Sequence, residues 1–237
     1  MVDILAFGAH PDDVELSAAG TLIKHINMGF SVGIIDLTMG EMGTRGTPEI
    51  RALEAEQAMK IIGANFRENL KMSDSFVDLS KESIYKVVKA IRTHQPKIIL
   101  CNAVKDRHPE HGVASKLVSK AYFISGLRKY ETSLDGKTQK PHVPQNVYHY
   151  IQDQWIDPDF IVDISEEMDQ KIKAVKAFES QFYDSKSKEP TTPISSKDFM
   201  DSIFSKANLM GRSIGKRFGE GFTTERPTGT NNLFNLY

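Results

Sequence analysis

The sequence lacks the features that mark secreted and membrane proteins. It contains one cysteine, Cys101, so an internal disulfide is excluded. No apolar run approaches the roughly 20 residues that a membrane-spanning helix requires, and acidic residues occur too early in the N-terminal sequence for a secretory signal. We therefore expect a cytoplasmic protein that makes no contact with a membrane.

An excess of charge of either sign is also absent. The chain has 30 Lys and Arg residues and 31 Asp and Glu residues, and its net charge is −1. Nucleic-acid-binding domains usually carry a clear basic excess, so no nucleic-acid partner is expected. The hydrophobic content of 40% is ordinary for a globular protein, and 237 residues suit one domain. We expect a single domain that spans residues 1–237.

Segments typical of strands and helices alternate along the first two thirds of the chain. Between the predicted strands, apolar residues recur at helical spacing after Pro11, Thr47, Ser80 and Pro109. This alternation predicts an α/β fold, Rossmann-like, with a mainly parallel sheet covered by helices on both faces. Residues 128–145 and 183–197 are predicted to be loops. The predicted strands cover residues 2–9, 32–37, 97–101, 147–151 and 160–164.

The first cluster of chemically active side chains, AHPDDVE at residues 9–15, follows the first predicted strand. Ligands bind at this carboxyl edge in open α/β sheets. Imidazole and carboxylate groups are good zinc ligands, and a catalytic zinc typically keeps one position for water. The alternative is a solvated acidic helix start, in which Asp12 or Asp13 caps the first turn.

A second cluster, DRHPEH at residues 106–111, follows the strand at residues 97–101 and opens another helix. Alone, this segment is as consistent with a polar helix start as with a metal site. Together, two strand-to-helix turns at one sheet edge favour a shared divalent ion, which could be zinc, iron or manganese. Asp106 could orient His108 or form a surface ion pair with Arg107.

A glycine-rich segment after the second strand, residues 38–51, should lie at the same edge. Its spacing is not that of the dinucleotide-binding fingerprint. Arg45 and Arg51 could bind an anionic group of a substrate, because guanidinium matches carboxylate geometry. Alternatively, these arginines pair with glutamates nearby in the sequence.

These motifs resemble those of the LmbE-like deacetylases. The similarity covers AHPDD, HPEH, the GEMGTRGT segment at residues 40–47 with Arg51, and the late GEGF at residues 219–222. The GTRGT variant is most similar to the bacterial bacillithiol-synthesis deacetylases, which act on N-acetylglucosamine joined to malate.

The resemblance implies a role for individual residues. His10, Asp13 and His111 match zinc ligands, Asp12 matches the general base, and His108 matches a histidine beside the metal. Arg51 matches an arginine that contacts the substrate. The resemblance also implies a homo-oligomer.

The function predicted from these observations is zinc-dependent removal of the N-acetyl group from an N-acetylglucosamine conjugate. N-acetylglucosaminyl-malate is the expected substrate, and another N-acetylated amino sugar is a close variant. Two other classes remain as alternatives. One is a non-catalytic nucleotide- or sugar-binding module. The other is an esterase, although neither of the two G-x-S-x-G matches in the chain, at residues 29–33 and 211–215, follows a predicted strand, as that nucleophile motif requires.

Overall fold

The computed structural model describes residues 1–235 and contains a seven-stranded sheet in the order β3-β2-β1-β4-β7-β9-β8. The first five strands of that order run parallel, and β9 lies antiparallel to both β7 and β8. A small hairpin, β5-β6, stands apart. The strands are β1 Ile4–Gly8, β2 Val32–Thr38, β3 Phe66–Met72, β4 Ile98–Cys101, β5 Ser133–Leu134, β6 Lys137–Thr138, β7 Asn146–Tyr150, β8 Phe160–Asp163 and β9 Gly219–Thr224.

Helices cover both faces of the sheet, as predicted. Alternate residues of β1 point to opposite sides, so Leu5 and Phe7 pack in one apolar cluster and Ile4 and Ala6 in the other. The first cluster includes residues of α3 and α4, and the second includes residues of α1. The helices are α1 Asp13–Asn27, α2 Pro48–Ile62, α3 Lys81–His94, α4 Pro109–Ser125, α5 Met168–Lys176 and α6 Lys197–Ser213, with a short 3-10 turn at Leu233–Asn235.

The sequence interpretation missed three main elements, as well as the 3-10 turn and the short hairpin β5-β6, which lies within the predicted loop at residues 128–145. The strand β3 lies at the sheet edge, and most of its side chains are half-buried or exposed, so it has no apolar run. The helix α6 begins at Lys197, where the predicted loop ends, and buries a stripe of Met200, Ile203, Ala207 and Met210. The strand β9 begins with two glycines in three residues, which lowers its apparent strand propensity.

A buried ion pair joins the end of the fold to its beginning. Lys171 Nζ lies 2.6 Å from Glu220 Oε1, and both side chains are buried. The Glu220 carboxylate accepts hydrogen bonds from the backbone N–H groups of Gly20 and Thr21, in the middle of α1. Lys171 Nζ also donates to the carbonyl oxygen of Leu16. The side chains of α5 and β9 therefore bond directly to the backbone of α1.

Among residues 1–235, no helix combines the length and apolarity required to cross a membrane.

Candidate metal centre and active site

The two His/Asp clusters lie together at the carboxyl edge of the sheet. Strands β1 and β4 are direct neighbours, and β2 pairs with the opposite side of β1. The connections therefore leave β1 and β4 in opposite directions, which creates a crevice between them. The turns that follow these two strands carry His10, Asp12 and Asp13 on one side, and His108 and His111 on the other.

The carboxylate of Asp13, the first residue of α1, lies between two imidazole rings. Its Oδ1 is 3.0 Å from His111 Nε2, and its Oδ2 is 3.5 Å from His10 Nδ1. Burial disfavours the charged Asp13, but His111 and His10 outweigh it and hold its pKa well below the usual value. Burial likewise opposes charge on His111, whereas Asp13 and Asp106 raise its pKa to about 9.

Carboxylates contact the other nitrogen of each of these two histidines. His111 Nδ1 lies 2.6 Å from Asp106 Oδ2. His10 Nε2 lies 2.7 Å from Glu110 Oε2 and 3.2 Å from Asp74 Oδ1. This arrangement is common behind metal-binding histidines, because a carboxylate fixes the ring and its tautomer. The predicted pairing of Asp106 with His108 or Arg107 is wrong, since Asp106 contacts His111.

Two amide side chains donate hydrogen bonds to the Asp13 carboxylate. Asn102 Nδ2 donates to Asp13 Oδ2 at 2.9 Å, and Gln152 Nε2 donates to Asp13 Oδ1 at 3.0 Å. Asn102 Nδ2 also donates to Gln152 Oε1. Neither residue was selected from the sequence, because each lies just beyond a strand and outside the two motifs. Asp74 was missed for a related reason, since it follows the unpredicted strand β3.

His108 completes the group of imidazoles. Its ring stacks on His111 with centroids 4.9 Å apart and meets the ring of His10 edge-on. Burial, followed by the nearby charges of His10 and His111, lowers the pKa of His108. Its buried Nδ1 has no hydrogen-bond partner among the described residues. A buried nitrogen without a partner is unusual and is typical of a site prepared for a ligand or a reacting group.

Two groups of these side chains could hold a metal ion. The first combines nitrogen atoms of His10, His108 and His111, and the second combines His10 with Asp74 and Glu110, with ligand atoms within 4.8 Å of one another in each group. In the second group, Glu110 already accepts hydrogen bonds from the backbone N–H groups of Ser75 and Val77. The first group lies beside the Asp13 carboxylate, which adds an anionic ligand. We therefore favour the position between His10, Asp13 and His111.

Asp12 has a strained backbone and a buried side chain. Its φ angle is 115°, a conformation that costs energy in any residue with a side chain and is found mainly at functional sites. Although Asp12 occupies the N-cap position of α1, its side chain makes no capping bond, so the alternative of a simple helix cap does not apply to it. Burial raises the pKa of Asp12 to about 7, although Arg51 opposes the shift.

The guanidinium of Arg51 contacts Asp12 rather than a glutamate near it in the sequence. Arg51 Nη2 lies 3.0 Å from Asp12 Oδ2 and also donates to the carbonyl oxygen of Pro11. Arg51 Nη1 donates to the carbonyl oxygen of Gly40 at 3.2 Å. A Cβ atom at Gly40 would lie 1.9 Å from this nitrogen. At this position, the glycine-rich loop therefore makes room for Arg51.

Arg45 is buried away from the reacting groups. Arg45 Nη2 donates to Ser187 Oγ, and the Arg45 carbonyl oxygen accepts a hydrogen bond from Gln181. Arg45 thus joins the glycine-rich loop to residues 183–197. It is not among the residues that line the central cavity, so its predicted contact with substrate stays a prediction.

A cavity of about 220 Å³ opens onto the histidines and Asp12. Its near end is polar and includes Arg51. Its far wall belongs largely to α6 and is mostly apolar, with Phe199, Ile203 and Met210. The cavity therefore combines a polar reaction centre with a wall that can select the rest of a small substrate.

Comparison with known proteins gives the family of the chain. Residues 5–122, which contain both His/Asp clusters, match the family described as PIG-L, GlcNAc-PI de-N-acetylase. The diacetylchitobiose deacetylase of Thermococcus kodakarensis is 31% identical over 189 residues, which cover 76% of this chain and 70% of that protein. The chain belongs to the PIG-L family. This is the LmbE-like family that its motifs resemble.

Two further proteins are similar to this chain, one in its solved structure and one in its sequence. The conserved protein TT1542 from Thermus thermophilus has a TM-score of 0.85 and 34% identity, and the match covers 97% of each chain. The 4-oxalmesaconate hydratase of Pseudomonas putida is 24% identical over 75% of this chain and 73% of its own length. Relatives of this chain are thus named for different reactions, deacetylation and hydration.

The family description and the deacetylases among the relatives confirm the predicted enzyme class, a metal-dependent N-deacetylase that hydrolyses an amide. It argues against the non-catalytic binding module and against the esterase. The predicted homo-oligomer and the cytoplasmic location stay predictions.

Proposed function

We propose that this PIG-L protein removes the acetyl group from an N-acetylated amino-sugar conjugate, with N-acetylglucosaminyl-malate as the substrate. The observation that carries the proposal is the convergence of His10, Asp13 and His111, with Asp12 beside them, at the head of a small cavity. The GTRGT segment, which is similar to that of the bacillithiol-synthesis deacetylases, supports the choice of substrate.

The donor set fits a catalytic zinc ion. Two neutral imidazoles and one carboxylate are a common ligand set for such ions, and they leave one position for water. In the proposal, His10 Nδ1, the Asp13 carboxylate and His111 Nε2 hold the ion. When bound, zinc supplies an acidified water and polarises the amide carbonyl group.

Asp12 and His108 then carry out the proton transfer and charge stabilisation. The Asp12 carboxylate accepts a proton from the attacking water and delivers it to the nitrogen of the departing amine. Arg51 holds the carboxylate in position for this transfer. His108 donates a hydrogen bond to the carbonyl oxygen as negative charge develops there. The products are acetate and a free amino sugar.

The direct test is acetate release from N-acetylglucosaminyl-malate by zinc-loaded protein. We expect turnover that stops after chelation and returns when zinc is restored. N-acetylglucosamine and N,N′-diacetylchitobiose serve as comparison substrates. Absence of acetate from all three would refute the proposal.

The similarity to 4-oxalmesaconate hydratase supports one competing function, the hydration of an unsaturated acid. The same zinc-loaded preparation should therefore be incubated with 4-oxalmesaconate. Hydration of that compound without deacetylation of any sugar would favour the competing function.

Gln152 provides a test of how Asp13 is held. We expect Gln152→Ala to weaken zinc binding by about 10- to 100-fold, the usual effect of removing a hydrogen bond behind a metal ligand. The measurement is a competition titration against a chelator of known affinity. Gln139→Ala is the matched control, because Gln139, just after the hairpin, donates hydrogen bonds to Lys89 and Thr93 of α3 and does not line the cavity. Equal zinc affinity in both variants would contradict the prediction.

Arg51 provides a test of how Asp12 is held. We expect Arg51→Lys to lower kcat by roughly tenfold with every substrate, because lysine lacks the fork that joins Asp12, Pro11 and Gly40. Steady-state kinetics with acidic and neutral substrates measure the effect. A loss confined to the acidic substrate would instead assign Arg51 to the recognition of the malate group.

A further inference from the structure

Four lysine and arginine side chains line the cavity, and three have a carboxylate partner. Arg51 pairs with Asp12 at 3.0 Å, Arg107 with Asp153 at 2.5 Å, and Lys171 with Glu220 at 2.6 Å. The fourth is Lys206, on α6. Within residues 1–235, it forms no ion pair with an aspartate or glutamate.

The neighbours of Lys206 do not neutralise its charge. Its Nζ donates to the backbone carbonyl oxygens of Gln152 and Asp153. An ammonium group has three N–H donors, so two carbonyl oxygens leave one donor unused. The side chain is half-buried, and burial lowers the pKa of Lys206, while the charges of Asp153 and Asp106 oppose this shift from a longer distance. A cation in such surroundings gains from an anion that enters the cavity.

Lys206 also lies close to the reaction centre. The carbonyl oxygen of Gln152 accepts its hydrogen bond, and the side chain of the same Gln152 holds Asp13. Gln152 and its two hydrogen bonds therefore connect the ammonium group to the Asp13 carboxylate. In a glucosamine conjugate, the acetamide and the aglycone are on adjacent ring carbons. A substrate whose acetamide faces Asp12 can thus place a group on its aglycone near α6.

We propose that Lys206 is a specificity-determining residue that binds a carboxylate on the substrate's aglycone. This inference rests on the proposed deacetylase function and deepens it, because it defines the substrate as an acidic amino-sugar conjugate. Lys206 is not a catalytic residue, since it does not touch the amide.

The test compares Lys206→Met with wild-type protein, both zinc-loaded, on acidic and neutral substrates. For N-acetylglucosaminyl-malate, we expect kcat/KM to fall roughly 10- to 100-fold, the range for losing a hydrogen bond between charged groups. Most of the loss should be in KM. For N,N′-diacetylchitobiose, kcat/KM should change less than about twofold, since that substrate has no charge to lose. N-acetylglucosamine 1-phosphate, tested in parallel, distinguishes a phosphate-binding site from a carboxylate-binding site.

Two further variants keep the result interpretable. Lys206→Arg should recover much of the preference for the acidic substrate, because it retains the charge. Lys197→Met removes an exposed lysine from the same helix, away from the cavity, and should behave as wild type. Equal losses on acidic and neutral substrates would mean that Lys206 only braces Gln152 and Asp153, which overturns the proposal. No loss on either substrate, or a preference for the phosphate, overturns it as well. Failure of wild-type protein to release acetate from any sugar would instead reject the deacetylase function.

Discussion

Asp12→Asn is expected to retain its metal and lose about 10²- to 10⁴-fold in kcat, the range for removal of a general base. Asparagine keeps the size of the side chain and an oxygen that can accept the hydrogen bond from Arg51. It cannot take a proton from water. The variant should therefore fold and bind zinc, and only the chemical step should fail. Single-turnover kinetics and elemental analysis of the same preparation measure both properties.

Asp135→Asn is a suitable control for this variant. Both aspartates have a positive φ angle, 115° at Asp12 and 50° at Asp135, and asparagine tolerates such angles better than most residues. Asp135 lies in the exposed turn of the hairpin β5-β6. Its variant should keep full activity. Near-normal turnover by Asp12→Asn would mean that another carboxylate, such as Glu110, accepts the proton.

Alanine substitution of His10, Asp13 or His111 is expected to remove zinc and activity together. A site with three protein ligands binds too weakly to retain its ion when one ligand is lost. Elemental analysis after dialysis, together with acetate release, checks this expectation. His94→Ala serves as the control. His94 is the last residue of α3, stacks on Phe66 and belongs to neither group of possible metal ligands, so this variant should retain the metal.

His108 makes the test of the ligand set sharper. A nitrogen of His108 lies within 4.8 Å of nitrogens of His10 and His111, so an all-histidine site is the competing arrangement. We expect His108→Ala to keep nearly stoichiometric zinc and to lose rate. The competing arrangement requires the opposite result, with zinc lost in His108→Ala and retained in Asp13→Ala.

The four inner strands of the parallel part of the sheet, β1, β2, β4 and β7, could be predicted because their signals are local. A buried parallel strand is a short apolar run, and proline or a capping residue begins the next helix, as Thr47 and Pro48 do at α2. The edge strand β3 and the glycine-rich β9 have no such signal. The helix α6 did have one, because its buried residues recur three and four positions apart. This helix was missed because it directly follows the polar loop at residues 183–197.

The candidate site could be predicted only where its residues belong to the two turns. Which partner each side chain chooses depends on how distant segments meet, and proximity in the sequence is a poor guide to that. Asp106 lies two residues from His108 and yet contacts His111, five residues away. Arg51 has glutamates on either side in the sequence and contacts Asp12, 39 residues away. Gln152 directly follows a predicted strand and Lys206 lies in the unpredicted helix α6, and the contacts of both side chains could be assigned only from the packed structure.

The bond between Glu220 and the middle of α1 has a consequence for how the protein is made. The ribosome adds His10 and Asp13 about two hundred residues before it adds Glu220. Until β9 joins the sheet, the backbone of α1 lacks the carboxylate that binds Gly20 and Thr21. A nascent or truncated chain without Glu220 should therefore present its metal ligands on an incompletely supported helix. The ligands of the proposed metal site all lie within the first 111 residues, yet we expect the helix that carries Asp13 to gain its full support only after residue 220 has been added.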